Sequence, residues 1–288
     1  MMHKQVCGVK VQSVLNLVAY VLNLGITYGS LTGAFGETNT ELSAKYHTLI
    51  TPSGYAFSIW GLIFLGEGVF AVAQMFPKFS SSAVVDAVTP FWLSACTFQI
   101  GWTIFFAQEL MLLALICMLA ILVSLLGAIL RADLLQEVSC AEYGLLRAPF
   151  SLHCGWIIAA SALNINVLAD FYKAAPEILL MLAILCLSAI SVLVALFAFA
   201  VPKADPLIGL VACWALLAIF AELGNPEKLN DPARFNYFDW PELVLEALRD
   251  TALALGLASA AASAVAAGRR VCCHGAKSAD AFASDQAI

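Results

Sequence analysis

The stretch Thr51-Pro-Ser-Gly-Tyr-Ala-Phe-Ser-Ile-Trp-Gly-Leu-Ile-Phe-Leu-Gly-Glu-Gly68 decides the fold of this chain. It is apolar over most of its length, it begins with Tyr55, Phe57 and Trp60, and it carries one charged residue, Glu67, between two glycines. A buried helix of a soluble protein and a membrane span would both show this pattern. The composition of the whole chain distinguishes between them.

The composition is that of a protein made for the lipid bilayer. Hydrophobic residues make up 62% of the 288 positions, charged residues make up 12%, and the mean hydropathy is +0.89. Soluble domains carry roughly 45–50% apolar and about 25% charged residues. The net charge of −6 indicates little about partners because most charges fall in the connections, and no basic run predicts a nucleic-acid partner.

Eight windows are long and apolar enough to cross a membrane, which takes about 20 residues. Prolines and helix-capping Ser, Thr and Asn residues lie near the starts of these windows, and no window alternates polar and apolar residues as a strand does. The sequence therefore predicts an all-α fold, a polytopic membrane helix bundle. Gln108-Glu109 is the only polar interruption between the third and fourth windows and predicts a tight hairpin. The predicted spans are 14–31, 55–76, 90–107, 110–130, 148–169, 178–201, 207–223 and 251–268.

Positive charges predict the orientation, since cytoplasmic connections carry an excess of Lys and Arg. With the amino terminus inside, the inner connections hold nine cations and the outer ones four (Lys45, Lys173, Lys228 and Arg234). We therefore expect both termini on the cytoplasm-like side of a membrane that the sequence does not name. A secretory signal peptide is the alternative for the first window.

Two features flank the last span. Residues 242–250 repeat their charges at helical spacing, which predicts an interfacial amphipathic segment. Residues 269–288 are small and polar and are predicted to be disordered. Cys272 and Cys273 follow two arginines directly after the span, so they are candidates for palmitoylation, with inert cysteines as the alternative.

Three tryptophans share their spans with amide side chains. Trp60, Trp102 and Trp156 lie in apolar segments, and Gln99 and Asn164 lie close to the last two of them in sequence. Flat aromatic walls with a few polar groups are typical of a pocket for a large planar ligand. Aromatic packing, with the amides bonding neighbouring helices, explains the same residues.

The motifs around these tryptophans resemble the tryptophan-rich sensory protein, or translocator protein (TspO/MBR), superfamily. They are Tyr55-Ala-Phe-Ser-Ile-Trp-Gly, Trp102-Thr-Ile-Phe-Phe, and Trp156 followed by Ala160 and Leu163-Asn164. In the second motif Gln99 stands where short members often have Asn. The resemblance covers about residues 45–170 and implies a TspO-like five-helix core at 1–170. Three additional spans at 171–268 and the tail at 269–288 would follow.

The resemblance also implies a function. Members bind tetrapyrroles such as haem and porphyrins, and some bind sterols, in proposed transport, scavenging or sensing roles. We therefore expect a hydrophobic small-molecule ligand, which a sterol or a carotenoid would also satisfy. The residues expected to line or support its pocket, between the second, third and fifth spans, are Tyr55, Phe57, Trp60, Gln99, Trp102, Phe106, Trp156 and Asn164.

Two further side chains are candidates for the site. Glu67 lies about two helical turns beyond Trp60 on nearly the same face, and an intramembrane carboxylate indicates function by default. It could bind a cation, relay a proton, or donate a hydrogen bond as the neutral acid. His153, near the start of the fifth span, could ligate the central metal of a tetrapyrrole or be a hydrogen-bonded interfacial histidine.

Other functional classes remain as alternatives. The sequence offers no nucleophile–base set, metal-ligand spacing or phosphate-binding loop, so we expect no enzyme and no bound metal. A structural or assembly subunit of a larger membrane complex, such as a pigment–protein complex, is the stronger rival. The small residues of the last span suit close helix contact within the protein, in a homodimer or with another subunit.

Overall fold

The computed structural model describes residues 5–6, 9–135, 138–201 and 203–285, with side chains up to residue 270. It is a helical bundle, as predicted, with one short antiparallel strand pair, β1 (Gln5–Val6) and β2 (Val9–Lys10), before the first helix. The α-helices are α1 (Val11–Ser30), α2 (Asn39–Lys45), α3 (Ile59–Ala73), α4 (Pro77–Ser80), α5 (Ala83–Ala107), α6 (Met111–Asp133), α7 (Cys140–Glu142), α8 (Ala148–Phe171), α9 (Pro176–Ala195), α10 (Pro206–Leu223) and α11 (Glu242–Asp285).

Irregular turns extend several of these helices. A 3₁₀ turn at Gly54–Ser58 leads into α3, and π-helical turns at Tyr143–Arg147 and Leu196–Ala200 precede α8 and follow α9. A second 3₁₀ turn, Pro226–Lys228, lies in the connection to α11. With these turns included, eight helices in the described part of the chain are long and apolar enough to span a membrane, which confirms the predicted number.

Five of the spanning helices close into a ring. α1 packs against α3 and α5, α6 packs against α5, and α8 closes the ring by packing against both α3 and α6. Many apolar side chains on the outer surface, such as Leu65, Val123 and Leu210, are more than half exposed. An exposed apolar surface of this extent suits contact with lipid.

The last three spans pack on one side of the ring. α9 and α10 both contact α8, and α11 lies along α10 and α9. Gly155 permits the close approach of α10, because a Cβ there would lie 2.8 Å from a side-chain carbon of Val211. The small residues of α11 face inward where Gly209 of α10 meets Ser259 and Ser263. Part of the small-residue surface is therefore used within the protein.

Three boundaries differ from the prediction. α5 begins at Ala83, capped by Ser82, so Pro90 lies inside this helix and not at its start. Residues 83–89 add about two helical turns before Pro90, and they are mostly apolar with one charged residue, Asp86. α11 begins at Glu242, so the expected interfacial segment is the first part of the last spanning helix. Its backbone stays helical to Asp285, past the start of the predicted disordered tail, where frequent alanines favour helix.

Two other predictions concern the ends of spans. The tight hairpin is confirmed: α5 ends at Ala107, α6 begins at Met111, and Glu109 between them has a positive φ of 58°. The side chains of Cys272 and Cys273 lie outside the described residues, so lipidation stays a prediction.

Charged contacts place Lys10, before the first span, and Arg270, at the end of the last span, on the same face of the bundle. Lys10 pairs with Asp86 at 3.4 Å, and the Arg270 guanidinium stacks on the Tyr143 ring at 3.7 Å. A buried cluster of Arg147, Asp133 and Asp205 lies on this face too. We call it the terminal face and the opposite one the outer face. Which side of the membrane each occupies stays a prediction.

Candidate functional site

A cleft opens in the outer half of the bundle, where α3, α5, α8 and α10 converge. Its cavity volume is about 60 Å³, and the whole groove, with its open side, encloses about 730 Å³. The segment 39–53, made of α2 and the residues that follow it, lies over the cleft, and we call this segment the cover. The lining residues are Asn39, Ser43, Tyr46, Ile50, Thr51, Pro52, Phe57, Trp60, Trp102, Phe106, Met118, Trp156, Ala159, Ala160, Leu163, Asn164, Val167, Ala215 and Ile219.

Aromatic rings form two walls of the cleft. On one side Trp156 is in edge contact with Phe57 and Trp60, with ring centroids 5.7 Å and 6.4 Å away. On the other side Trp102 stacks on Phe106 at 5.1 Å with only 16° between the ring planes. Such offset and edge contacts are the favoured arrangements of aromatic pairs. The cleft therefore presents flat, apolar surfaces that are already packed in place.

One hydrogen bond connects these walls to the polar side chains predicted for the site. The Trp102 indole N–H donates to the Asn164 side-chain oxygen at 3.0 Å, and the Asn164 amide donates to the Ala160 carbonyl at 2.9 Å. The bond crosses from α5 to α8 and fixes the plane of the Trp102 ring. Asn164 is thus a support for the aromatic wall as well as part of the lining.

Six of the ten candidate residues meet at the cleft: Phe57, Trp60, Trp102, Phe106, Trp156 and Asn164. Tyr55 does not line it, because its half-exposed ring packs edge-on against Trp214 of α10. Gln99 is buried one turn further into the bundle, and its side-chain oxygen has no hydrogen-bond partner among the described residues.

Glu67 and His153 lie behind the cleft and not in its lining. Seven residues separate Glu67 from Trp60, a distance of about 10 Å along a helix. The two side chains are wholly buried and bonded to each other, with His153 Nδ1 and Glu67 Oε1 2.6 Å apart. The sequence marked each as a candidate but gave no indication that they form a pair.

Sequence reasoning missed two parts of the site, the cover and the α10 wall. Ala215 and Ile219 of α10 complete the cleft from outside the five-helix ring. The signal that could have located α10 is Glu222, a carboxylate near its end: it accepts a hydrogen bond from Ser53 at 2.7 Å. Ser53 N also donates to the Ala218 carbonyl at 3.0 Å, so α10 is joined directly to the entry into α3.

Polar contacts hold the cover against the rest of the outer face. Lys45 Nζ donates to Glu109 Oε2 at 2.8 Å, and the Tyr46 hydroxyl donates to the same oxygen. Arg234, from the connection before α11, donates to the carbonyl oxygen of His47. Tyr46 also lines the cleft, so one residue both forms part of the cleft wall and attaches the cover to Glu109.

The ionisable groups that attach the cover to Glu109 stabilise one another. Burial and the hydrogen bond to Glu109 raise the pKa of Tyr46 to about 12. Burial acts to raise the pKa of Glu109, but the hydrogen bonds from Lys45 and Tyr46 outweigh it and lower this pKa below its ordinary value. The carboxylate therefore stays ionised and bound to the cover at neutral pH.

A comparison with protein families establishes the relationship of this fold to known proteins. The family model of TSPO-like protein matches residues 13–246. The chain belongs to the TSPO-like family. Neither the comparison with curated proteins nor the comparison with solved structures finds a match.

The extent of the TSPO-like match adds to the interpretation of the bundle. It includes α9 and α10 as well as the five-helix ring, whereas the motifs in the sequence covered only about residues 45–170. The α10 wall of the cleft is thus within the part of the chain that the family describes. The protein is an integral multi-pass membrane protein of the TspO type.

Proposed function

We propose that the protein binds a large planar hydrophobic ligand, a tetrapyrrole such as a porphyrin or haem, in the cleft beneath the cover, for transport, scavenging or sensing. The observation that carries the proposal is the pair of preformed aromatic walls, Trp60–Trp156 and Trp102–Phe106. A stack of this kind suits a flat ring system better than a flexible chain. A sterol or a carotenoid is the next class that these walls would accept.

The lining supports the apolar character of the ligand. None of the described residues that line the cleft is Asp, Glu, His, Lys or Arg. An ionised group placed deep in the cleft would therefore lose its hydration without gaining a counter-charge. The carboxylates of a tetrapyrrole would have to remain at the open side, with the macrocycle inside. The same lining supports binding over catalysis, because it offers no charged acid or base to a reacting group.

The size of the cleft implies that the cover moves. The cavity volume of about 60 Å³ has room for a few water molecules and is far too small for a macrocycle. A macrocycle enters only if the walls separate. The cover is the part of the lining that lies outside the spans, so its displacement would open the cleft without separating the spanning helices, at the cost of exposing buried side chains such as Leu42 and Ile50. Ligand entry and release would therefore take place from the outer face.

Replacement of one aromatic wall tests the proposal. We expect Trp156→Leu to weaken porphyrin binding about fivefold or more, since an aromatic contact contributes on the order of 1 kcal/mol beyond its buried area. The measurement is an equilibrium titration of purified protein followed by porphyrin absorbance and tryptophan quenching. The variants are compared by their affinity and not by the extent of quenching, because energy transfer to a bound porphyrin also quenches tryptophans outside the cleft.

Trp240→Leu is the matched control, because Trp240 is also buried but lies in the connection before α11 and does not line the cleft. Its affinity should equal that of the wild type. Equal losses in both variants, or no saturable binding by the wild type at micromolar porphyrin, would contradict the proposal. The tryptophans would then be packing residues of a structural membrane subunit.

A further inference from the structure

Behind the cleft, α3 and α8 are joined by a hydrogen bond between two ionisable side chains. Glu67 and His153 are both 0% exposed, and their bonded atoms lie 2.6 Å apart. Glu67 Oε2 and His153 Nε2 have no hydrogen-bond partner among the described residues. Ionisable groups at this depth in a membrane protein are costly and are typical of positions with a function.

Each member of the pair is a neighbour that can offset the charge of the other. A proton shared between the carboxylate and the imidazole leaves no uncompensated charge in the bundle, whereas either group ionised alone would be a bare buried charge. The ionisable groups nearest to Glu67 from the neighbouring helices are Tyr20 of α1 and Cys96 of α5, both neutral at ordinary pH. Neither provides a counter-charge, so Glu67 and His153 depend on each other.

The pair reaches the cleft through Trp60. The His153 ring lies 5.6 Å from the Trp60 ring at an angle of 71°, and Phe64 stacks against Trp60 on α3 at 5.7 Å. Trp60 in turn packs against Trp156 in the wall of the cleft. The Trp60 indole is therefore held by three rings, one of which is oriented by a carboxylate.

Close helix packing fixes this arrangement at the level of the pair. A Cβ added to Gly66 would lie 3.4 Å from Pro149, so α3 and α8 are in contact beside Glu67. Between helices held so close, the hydrogen bond from Nδ1 sets the rotation of the imidazole ring. Loss of the carboxylate would free this ring and remove the edge contact with Trp60.

We propose that Glu67 and His153 are positioning residues that hold Trp60 in the wall of the cleft and thereby set the affinity for a planar ligand. The inference rests on the proposed function for its binding readout. It assigns no direct contact between the pair and the ligand. It also explains why a buried ionisable pair lies in the bundle next to an uncharged cleft.

Variants of Glu67 separate hydrogen bonding from burial. Glu67→Gln keeps the shape and an amide that can accept from or donate to His153 Nδ1, whereas Glu67→Leu removes the hydrogen bond. We expect Glu67→Leu to weaken binding of protoporphyrin roughly three- to tenfold, the range of one aromatic contact. Glu67→Gln should stay within about twofold of the wild type. Wild-type affinity in Glu67→Leu, or equal weakening in both variants, would overturn the proposal.

Gln74→Leu is the matched control, at the residue that caps the C-terminus of α3. Gln74 is wholly buried, accepts a hydrogen bond from Asn16 of α1 at 2.8 Å, and does not line the cleft. The Gln74→Leu variant should bind porphyrin with the affinity of the wild type. That result would show that loss of a buried polar contact at the end of α3 is not by itself enough to weaken binding. A loss in Gln74→Leu as large as that in Glu67→Leu would overturn the proposal.

A double-mutant cycle tests the route through Trp60. If the pair acts by holding this ring, Glu67→Leu should have no further effect on affinity once Trp60→Leu is present. Additive losses would show that the pair acts on the whole bundle and would overturn the positioning role. If Glu67→Leu does not fold, the same cycle is carried out with variants of His153. His153→Asn then replaces Glu67→Gln, and His153→Leu replaces Glu67→Leu.

A ligand-free measurement keeps this inference separate from the proposed function. The near-ultraviolet circular dichroism of the unliganded protein reports the environments of its aromatic side chains, and the contact of Trp60 with Trp156 contributes to it. We expect it to change in Glu67→Leu but not in Glu67→Gln or Gln74→Leu, and an unchanged spectrum in Glu67→Leu would overturn the inference. If the wild type fails to bind porphyrin, the proposed function fails, while the dichroism still decides whether the pair positions the tryptophan.

Discussion

Asn164 shows how a single buried amide serves a membrane bundle. An unpartnered amide in hydrocarbon is costly, and Asn164 avoids this cost with one bond across to α5 and one within α8. Asn16 follows the same rule on the other side of the ring, where it donates to Gln74 and Thr89 at 2.8 Å. The difference lies in what the amide orients, because only Asn164 fixes a ring in the cleft.

His47 gives the cover a dependence on pH. Burial lowers the pKa of His47 to about 4, although Glu222 at 3.7 Å acts in the opposite direction. The unfolded chain therefore takes up a proton near pH 6.5 that the folded chain takes up only near pH 4. The contribution of a neutral buried His47 is complete above pH 6.5 and is lost as the pH falls toward 4.

We accordingly predict that lowering the pH from 7 to 4.5 in detergent decreases the melting temperature of the wild type relative to that of His47→Gln. Thermal unfolding at a series of pH values measures both. Thr48→Val, a change at the next and equally buried position, serves as the control and should keep the slope of the wild type. Identical slopes in the wild type and His47→Gln would show that this histidine does not contribute.

At the scale of elements, the cover is the segment whose attachment would control access to the cleft if a ligand binds there as proposed. Lys45 and Tyr46 bind one carboxylate, Glu109, on the hairpin between α5 and α6. Partly exposed ion pairs contribute roughly 0.2–1 kcal/mol. An ion pair of that strength can be broken and re-formed readily, so under the proposed function it would restrain the cover without locking it in place.

We predict that Glu109→Gln speeds both association and dissociation of a porphyrin by about two- to fivefold, with little change in affinity. Stopped-flow fluorescence measures the two rates. Glu37→Gln is the control, because Glu37 approaches the same Lys45 only to 3.6 Å and is more exposed. A loss of affinity with unchanged association in Glu109→Gln would mean that this carboxylate belongs to the site and does not restrain the cover.

The spanning elements could be predicted from sequence because lipid imposes length and composition on each of them separately. The same rule says nothing about which helices meet. The motifs located Trp60, Trp102 and Trp156, and the fold brings all three to one cleft. Ala215 and Ile219 carry no local signal, since they are ordinary apolar residues of a span.

The Glu67–His153 bond joins residues 86 positions apart and depends on a packing of α3 against α8 that no local pattern encodes.

At the scale of the whole molecule, one charged cluster connects the five-helix ring to the last three spans. Arg147, which is buried, bonds Asp133 of α6 at 2.9 Å and Asp205, the cap of α10, at 2.5 Å. Ser151 of α8 also donates to Asp205 at 2.6 Å. The cluster therefore fixes α10 on the terminal face, at the opposite end from the wall that it gives to the cleft.

Asp205→Asn should destabilise the protein by about 3 kcal/mol, because loss of one partner leaves the Arg147 charge buried with less compensation. Thermal or denaturant unfolding in detergent measures the change. Asp86→Asn is the control. It removes the negative charge that pairs with Lys10 in a more exposed ion pair, and it should alter stability by less than about 1 kcal/mol. Equal effects of the two changes would show that the buried cluster does not join the two parts of the bundle.

The place where the ligand binds is the central claim, and photo-crosslinking tests it most directly. A porphyrin derivative with a photoreactive group, bound to the purified protein and illuminated, should label residues of the cleft. Mass spectrometry should find the label on α3, α8 and α10, near Trp60, Ala159 and Ile219, and excess unmodified porphyrin should abolish it. Labels confined to exposed, lipid-facing residues such as Val123 and Leu210, or labels that excess porphyrin does not displace, would contradict the account.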